Sequence, residues 1–267
     1  MSNTSPQATN PFSTGQGGAN FETRVQAAFT TLLLTGRVSP CLPSWPITKL
    51  KLQGAYAGFR TDDFIVYAKD PVSDHEARLL AQIKHEISFT ETDENFAKAI
   101  GAAWNDFNDP TVFTSGVDAI ALITGPLSAM DINHVRVLFE WARCSQNERE
   151  FLDKVIRVGG RTKRTKLDIF RKGLNVANGG QNVSDEQLWN FLRSYHLLGY
   201  DLDTQNGGTL SLLQSLIGLS SNQNPASLWS QIVDAVQSAN QNAGTITLET
   251  LPREIREPFD PSAQRQS

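Results

Sequence analysis

Cysteine is scarce in this chain. Only Cys41 and Cys144 occur in 267 residues, far apart and in no CxxC pair. That spacing excludes a disulfide framework and a thiolate zinc site, and it predicts a reducing, cytoplasmic setting. No apolar run is long enough to cross a bilayer, so no membrane partner is expected. The N-terminus lacks the basic and apolar regions of a classical export signal. A P-loop of the form GxxxxGK(S/T) and a nucleophile elbow GxSxG are both missing, which removes P-loop ATPases and serine hydrolases of that type. His134 and His196 have no partner at metal-ligand spacing and are expected to be core or surface residues. Charge has no dominant sign either. The formal net charge is −4, which neither supports nor excludes nucleic acid, because phosphate binding follows local potential.

What remains is the composition of an ordinary folded protein, 39% hydrophobic and 19% charged. Residues 1–19 are rich in Ser, Thr, Asn, Gln, Gly and Pro and predict a disordered lead-in. Phe21, Val25, Ala28, Phe29 and Leu32 recur at helical spacing and predict a helix ending before Gly36. Thr48 to Leu52 alternates as a half-buried strand does. Asp63-Phe-Ile-Val-Tyr67 is a short β-branched and aromatic run, and a turn-rich Lys69 to Asp74 links it to a third strand over Arg78 to Ile87. Thr92 or Asp93 is positioned to cap a helix whose apolar face is Phe96, Ile100, Ala103, Trp104 and Phe107. Val117 to Thr124 reads as another buried strand.

Beyond Ser128 the patterns predict helices alone. Ser184-Asp-Glu-Gln187 is a capping box opening a helix through Leu197, and Pro225 sits where a first-turn proline belongs. From Asn242 the chain reads as a linker or tail. The expected layout is therefore a lead-in over 1–19, an α/β core of αβββαβ order over 20–128, an all-helical subdomain over 129–241 and a tail over 242–267.

Gln82 and Lys84, two apart on a strand, project to one face, and Asp63 opens the partner strand of the same hairpin. Phosphodiester hydrolysis needs a hard cation on oxygen ligands, an activated water and positive charge beside the phosphorus. Asp63 supplies an anionic ligand, the Gln82 amide and the Ile83 carbonyl neutral ones, and Lys84 the cation that orients the water. Glu22 on the first helix is a further candidate, and Asp62 is the alternative to Asp63. Glu86 shares the Gln82 face as a possible third carboxylate, whereas His85 points away. Spacing alone favours the plainer interpretation, an outward-facing strand with turn aspartates. A charge in the apolar run Leu79 to Ile83 needs either solvent or a partner.

The element order, with an acid on the first helix, Asp at the second strand and QxK on the third, resembles the PD-(D/E)xK nuclease core, in the Gln variant of Mrr-like nucleases. More closely, Gly17-Gly-Ala-Asn-Phe-Glu22, Thr61-Asp-Asp-Phe64, Gln82-Ile-Lys-His85, Ala103-Trp-Asn-Asp-Phe107 and Thr124-Gly-Pro-Leu-Ser128 resemble a bacterial double-stranded-DNA nuclease domain. That domain occurs in antiviral effectors, including CBASS effectors with a SAVED sensor and STAND-type NTPases. The resemblance implies a restriction-endonuclease-like fold and Mg2+ (or Mn2+) dependent cleavage of double-stranded DNA. It also implies homo-oligomers and control by a sensor or NTPase module, in the same longer chain or a separate protein. A local basic cluster containing Arg161, Lys163, Arg164 and Lys166 is the candidate DNA-backbone contact. A catalytically silent DNA-binding or assembly module and an RNA-directed nuclease are the alternatives.

Overall fold

The computed structural model describes residues 16–260 apart from 205. The expected lead-in falls outside the described residues up to position 15, and its last positions belong to the first helix. A six-stranded mixed sheet forms the middle layer, in the order β5-β4-β3-β2-β1-β6. Its strands are β1 (Ile47–Leu52), β2 (Phe64–Lys69), β3 (Glu76–Ile83), β4 (Ala119–Thr124), β5 (Tyr195–Gly199) and β6 (Thr245–Ile246). β1, β2 and β3 run antiparallel in sequence, β3, β4 and β5 run parallel, and β6 pairs antiparallel with β1.

Both faces of the sheet are covered, and the strand sequences show why. Leu80, Ile65, Ile120, Leu122 and Leu197 belong to one apolar core, with α2 (Glu94–Phe107), α3 (Val137–Arg143), α4 (Glu148–Val158), α5 (Gly160–Ala177) and α6 (Asp185–Ser194). Leu79, Ala81, Phe64, Val66, Ala121 and Ile123 belong to a second, with α1 (Gln16–Leu34), α7 (Gly208–Ser220), α8 (Pro225–Asn240) and α9 (Arg253–Arg256). Alternate residues of one strand feed opposite cores, so a central strand must be apolar throughout, as β4 is. Edge-to-face rings of Phe96, Phe139, Phe170, Tyr195, Phe191 and Trp104 interlock in the first core.

The αβββαβ order predicted over residues 20–128 is present, with the β2–β3 hairpin in register from Phe64↔Ala81 to Lys69↔Glu76. Asp93 caps α2 by accepting from Phe96 N at 2.8 Å. The capping box at Ser184 is complete, and Asn224 and Pro225 open α8.

Three expectations are corrected. The third strand ends at Ile83 rather than Ile87, although Lys84 N still donates to Ile123 O at 2.9 Å. The stretch 129–241 is not all-helical: the helix opened by Ser184 stops at Ser194 and Leu197 lies in β5. β5 pairs with β4, so this part of the chain completes the sheet of the core instead of forming a separate helical layer. The tail is structured as far as Asp260. Ile246 of β6, Leu251 and Ile255 of α9 join the second core beside α8, and only residues 261–267 of the tail lie outside the described residues. Among the described residues no helix is long and apolar enough to cross a membrane.

Candidate active site

Antiparallel pairing brings the start of β2 to the end of β3. Phe64 faces Ala81, so one step further along the ladder Asp63 lies beside Gln82 on the same face of the sheet. Asp63 Oδ2 accepts the backbone N–H of Ile83 and lies 3.6 Å from Lys84 Nζ. The lysine that the apolar run made conspicuous therefore has a carboxylate partner. Asp62 is exposed, and its side chain acts on the site only through its charge on Asp63. The geometry sets Asp63, not Asp62, against the QxK segment.

The backbone that carries Asp63 is clamped from two directions. Gln53 N donates to Asp63 O at 3.0 Å and Gly54 N to Asp62 O. A Cβ at Gly54 would stand 3.0 Å from Thr61 O and 3.2 Å from the Ile65 side chain, so any side chain here would push this loop or Ile65 aside by a few tenths of an ångström. From the opposite side Asp106, 1% exposed at the end of α2, accepts Arg60 N at 2.8 Å and Thr61 N at 2.6 Å.

Glu22 projects from α1 into the same site. Its Oε1 accepts from Gln26 Nε2 at 3.0 Å and, over a longer 3.5 Å, from Asn240 Nδ2 at the end of α8. Burial, followed by the negative charge of Asp63, pushes the Glu22 carboxyl up to about 7, and Asn240, Lys84 and Gln26 act against that rise. Asp63 is raised as well, mainly by burial, with Lys84 and the Ile83 N–H opposing. Two carboxylates are thus held close in a site that disfavours their charge.

Two buried amide oxygens, Gln82 Oε1 and Gln26 Oε1, have no hydrogen-bond partner. Such orphans are rare and costly. A hard cation suits the Glu22–Asp63 pair, because it would neutralise two buried carboxylates, and the partnerless Gln82 oxygen at the end of the adjoining strand is a neutral donor of the right kind. Among the described residues no three His, Cys, Asp or Glu side chains gather for a metal, so any cation here depends on Glu22, Asp63 and neutral oxygens from Gln82 and Ile83. Glu86 is not part of the set; its side chain is 82% exposed and its carboxylate lies 3.9 Å from His85.

The remaining candidates fall outside this group. His85 turns from the Gln82 face, packs edge-on against Phe21 and meets Asp203 Oδ2 at 2.5 Å. His196 is held neutral by burial and then by Arg143, which drop it to about 3. His134 Nδ1 is buried without a hydrogen bond. Arg161, Lys163, Arg164 and Lys166 lie in the first turns of α5, after a break at Gly160 whose φ of +65° favours glycine. Lys166 Nζ donates to Phe89 O at 2.7 Å, Arg164 to Ile156 O, and Lys163 sits 5.5 Å over the Trp141 ring, while Arg161 is exposed. Lys172 and Arg171 are paired with Glu91 and Asp185.

Sequence reasoning did not single out Gln26, Asn240, Asp106 or Asp203. Gln26 and Asp106 carried a signal, a polar residue inside a buried helical face, but Asn240 reaches Glu22, and Asp203 reaches His85 beside the site, only through the fold.

No family model and no curated protein matches the chain. Among solved structures it is similar to the Acinetobacter baumannii Cap4 SAVED/CARF-domain containing receptor with the cyclic trinucleotide 3'3'3'-cAAA, at 13% identity and a TM-score of 0.49. That match covers 93% of this chain and 48% of the receptor. The Moraxella osloensis Cap4 SAVED/CARF-domain containing receptor is similar at 12% identity and a TM-score of 0.48, over 94% of this chain and 48% of the other. The chain spans about half the length of these proteins. At this level of likeness the chemistry of the site rests on its own residues.

Proposed function

We propose that this chain is a metal-dependent nuclease that hydrolyses phosphodiester bonds of double-stranded DNA, as an effector of bacterial antiviral defence. The observation that carries the chemistry is the hairpin end. Asp63 is locked to the Ile83 N–H and 3.6 Å from Lys84, the Glu22 carboxyl is close enough for the Asp63 charge to raise it further beyond the effect of burial, and the Gln82 oxygen is unsatisfied. Glu22, Asp63, the Gln82 amide and the Ile83 carbonyl would hold Mg2+ (or Mn2+). When bound, the ion supplies Lewis-acid stabilisation of charge at the phosphate.

The chain's own groups do the rest. Lys84 is the only cation among the site groups described, and a carboxylate 3.6 Å away fixes its position. It orients the attacking water and offsets negative charge as oxygen adds to phosphorus and the leaving oxygen departs. Asp106 keeps Asp63 in register by holding the backbone immediately before it. The start of α5 offers phosphate contacts through Arg161, Lys163 and Arg164, and Lys166 ties that helix to Phe89, five residues beyond Lys84. The defence role and control by a sensor or NTPase module rest on the motif resemblance alone, as does self-association.

Supercoiled plasmid, linear duplex and RNA incubated with and without Mg2+ test the proposal. Wild type is expected to nick or cut duplex DNA only with the metal, and Lys84→Ala and Asp63→Ala to lose at least about a hundredfold of that activity while staying folded. Cleavage that persists in both variants refutes the site. DNA binding without cleavage in any metal favours a silent DNA-binding module, and cleavage of RNA alone moves the substrate.

A further inference from the structure

Gln26 is fully buried on α1 between Val25 and Ala27, both in the core. A buried amide at such a position is costly unless it bonds, and its two hydrogen bonds both lead into the site. Nε2 donates to Glu22 Oε1 at 3.0 Å and to Asp63 O at 3.4 Å. Asn240, the last residue of α8, reaches the same Glu22 oxygen. Asn240 is itself gripped by Gln53, whose Nε2 donates to Asn240 O at 2.6 Å and Oδ1 at 3.4 Å. The circuit closes because Gln53 N donates to Asp63 O. Three carboxamides, Gln26, Asn240 and Gln53, therefore form a ring that joins the two carboxylate carriers through α1, α8 and the end of β1.

We infer that Gln26 and Asn240 are positioning residues for Glu22, pinning its Oε1 so that its other oxygen faces a divalent cation shared with Asp63; this rests on the metal-dependent reading above. The chemistry of the ring is what points there. An Arg or Lys in either place would fix the carboxylate equally well but would cancel the charge that a cation needs. Carboxamides donate a hydrogen bond and leave the carboxylate's charge in place. Asn240 also brings α8, far along the chain, into direct contact with the site. The C-terminal helices are then part of the metal-holding apparatus and not an accessory layer.

The test measures Mn2+ binding to the full chain by the electron-paramagnetic-resonance signal of the free ion, beside the metal dependence of plasmid cleavage. Asn240→Ala and Gln26→Met are each expected to weaken Mn2+ binding about 10–100-fold, the range typical of residues that orient a ligand. Affinity for duplex DNA should stay at the wild-type level. Asn240→Asp, which replaces a donor by a second charge, should bind metal differently from Asn240→Ala, and Asn240→Gln should restore part of the loss. A purely structural role would lower the unfolding midpoint and leave Mn2+ affinity alone, and that result overturns the inference. Should Gln26→Met fail to fold, Asn240→Ala at the helix end decides the matter. Wild type that binds no Mn2+ and cuts nothing overturns the underlying reading instead. Wild type that binds Mn2+ no better than either variant overturns only the positioning role.

Discussion

Replacing Glu22 by Gln should make the metal-free protein more stable, and by an amount that depends on pH. The Glu22 carboxyl ordinarily titrates at 4.5 and is raised to about 7 in the folded site, by burial first and by Asp63 second. The folded state therefore holds this proton more tightly than the unfolded chain. Well below pH 4.5 the two states are almost equally protonated and Glu22 costs little. Between 4.5 and about 7 the unfolded chain has released the proton while the folded one keeps it, so stability falls as pH rises. Each tenfold in proton affinity is about 1.4 kcal/mol, and the full gap gives a loss of about 3 kcal/mol that levels off above pH 7. A glutamine in this place does not titrate and escapes the loss. Urea unfolding in EDTA across that range should show the Glu22→Gln advantage growing from near zero to about 3 kcal/mol. Adding Mn2+ should reverse the order, because binding at a thousandfold excess over Kd stabilises wild type by about 4.1 kcal/mol, more than the advantage, while the variant has lost a ligand. A stability difference that stays flat with pH in EDTA would refute the burial of Glu22 beside Asp63 on which the site depends.

Asp106→Ala should cost about 1–3 kcal/mol in urea unfolding, since it leaves the buried N–H of Thr61 and the part-buried N–H of Arg60 without an acceptor. Arg161→Ala with Arg164→Ala, in a Lys84→Ala background that blocks cleavage, should weaken DNA binding without regard to sequence and reduce the salt slope of log K by about two. Truncation after Ser128 should abolish a cooperative unfolding transition, because it strips β5 from β4 and the whole second core of α7 and α8; a truncated chain that unfolds cooperatively would show the core folding alone.

Local sequence made the first half of the fold legible. The alternation in β1, the β-branched run of β2 and the cap at Asp93 are all decided by neighbours within a few residues. β5 was not legible for a related reason. Leu188, Phe191, Leu192 and Tyr195 recur at helical spacing, and no Gly or Pro separates Ser194 from Tyr195, so the local pattern continues a helix that tertiary pairing with β4 ends. β6 is two residues long and exists only because the β1 edge is there to receive it. The prolines near the C-terminus suggested a linker, whereas Pro252 opens α9 and Ile246, Leu251 and Ile255 are buried.

The site divides along the same line. Asp63, Gln82 and Lys84 belong to one hairpin, and a hairpin's register follows from its turn and alternation. Glu22 was reachable through the motif resemblance and lies on the helix packed against that hairpin. What no local pattern contained is the charge balance of the assembled group. Asp63 and Glu22 are both pushed toward their neutral forms, and two buried amide oxygens stay unpartnered. A fold selected for stability alone would relieve these defects with one arginine. Here the surrounding positions are filled by Gln26, Asn240 and Gln53, which orient the carboxylates and neutralise nothing. Under the proposed function a cation would relieve the cost of this arrangement, and the pH and Mn2+ dependence of Glu22→Gln measures it directly.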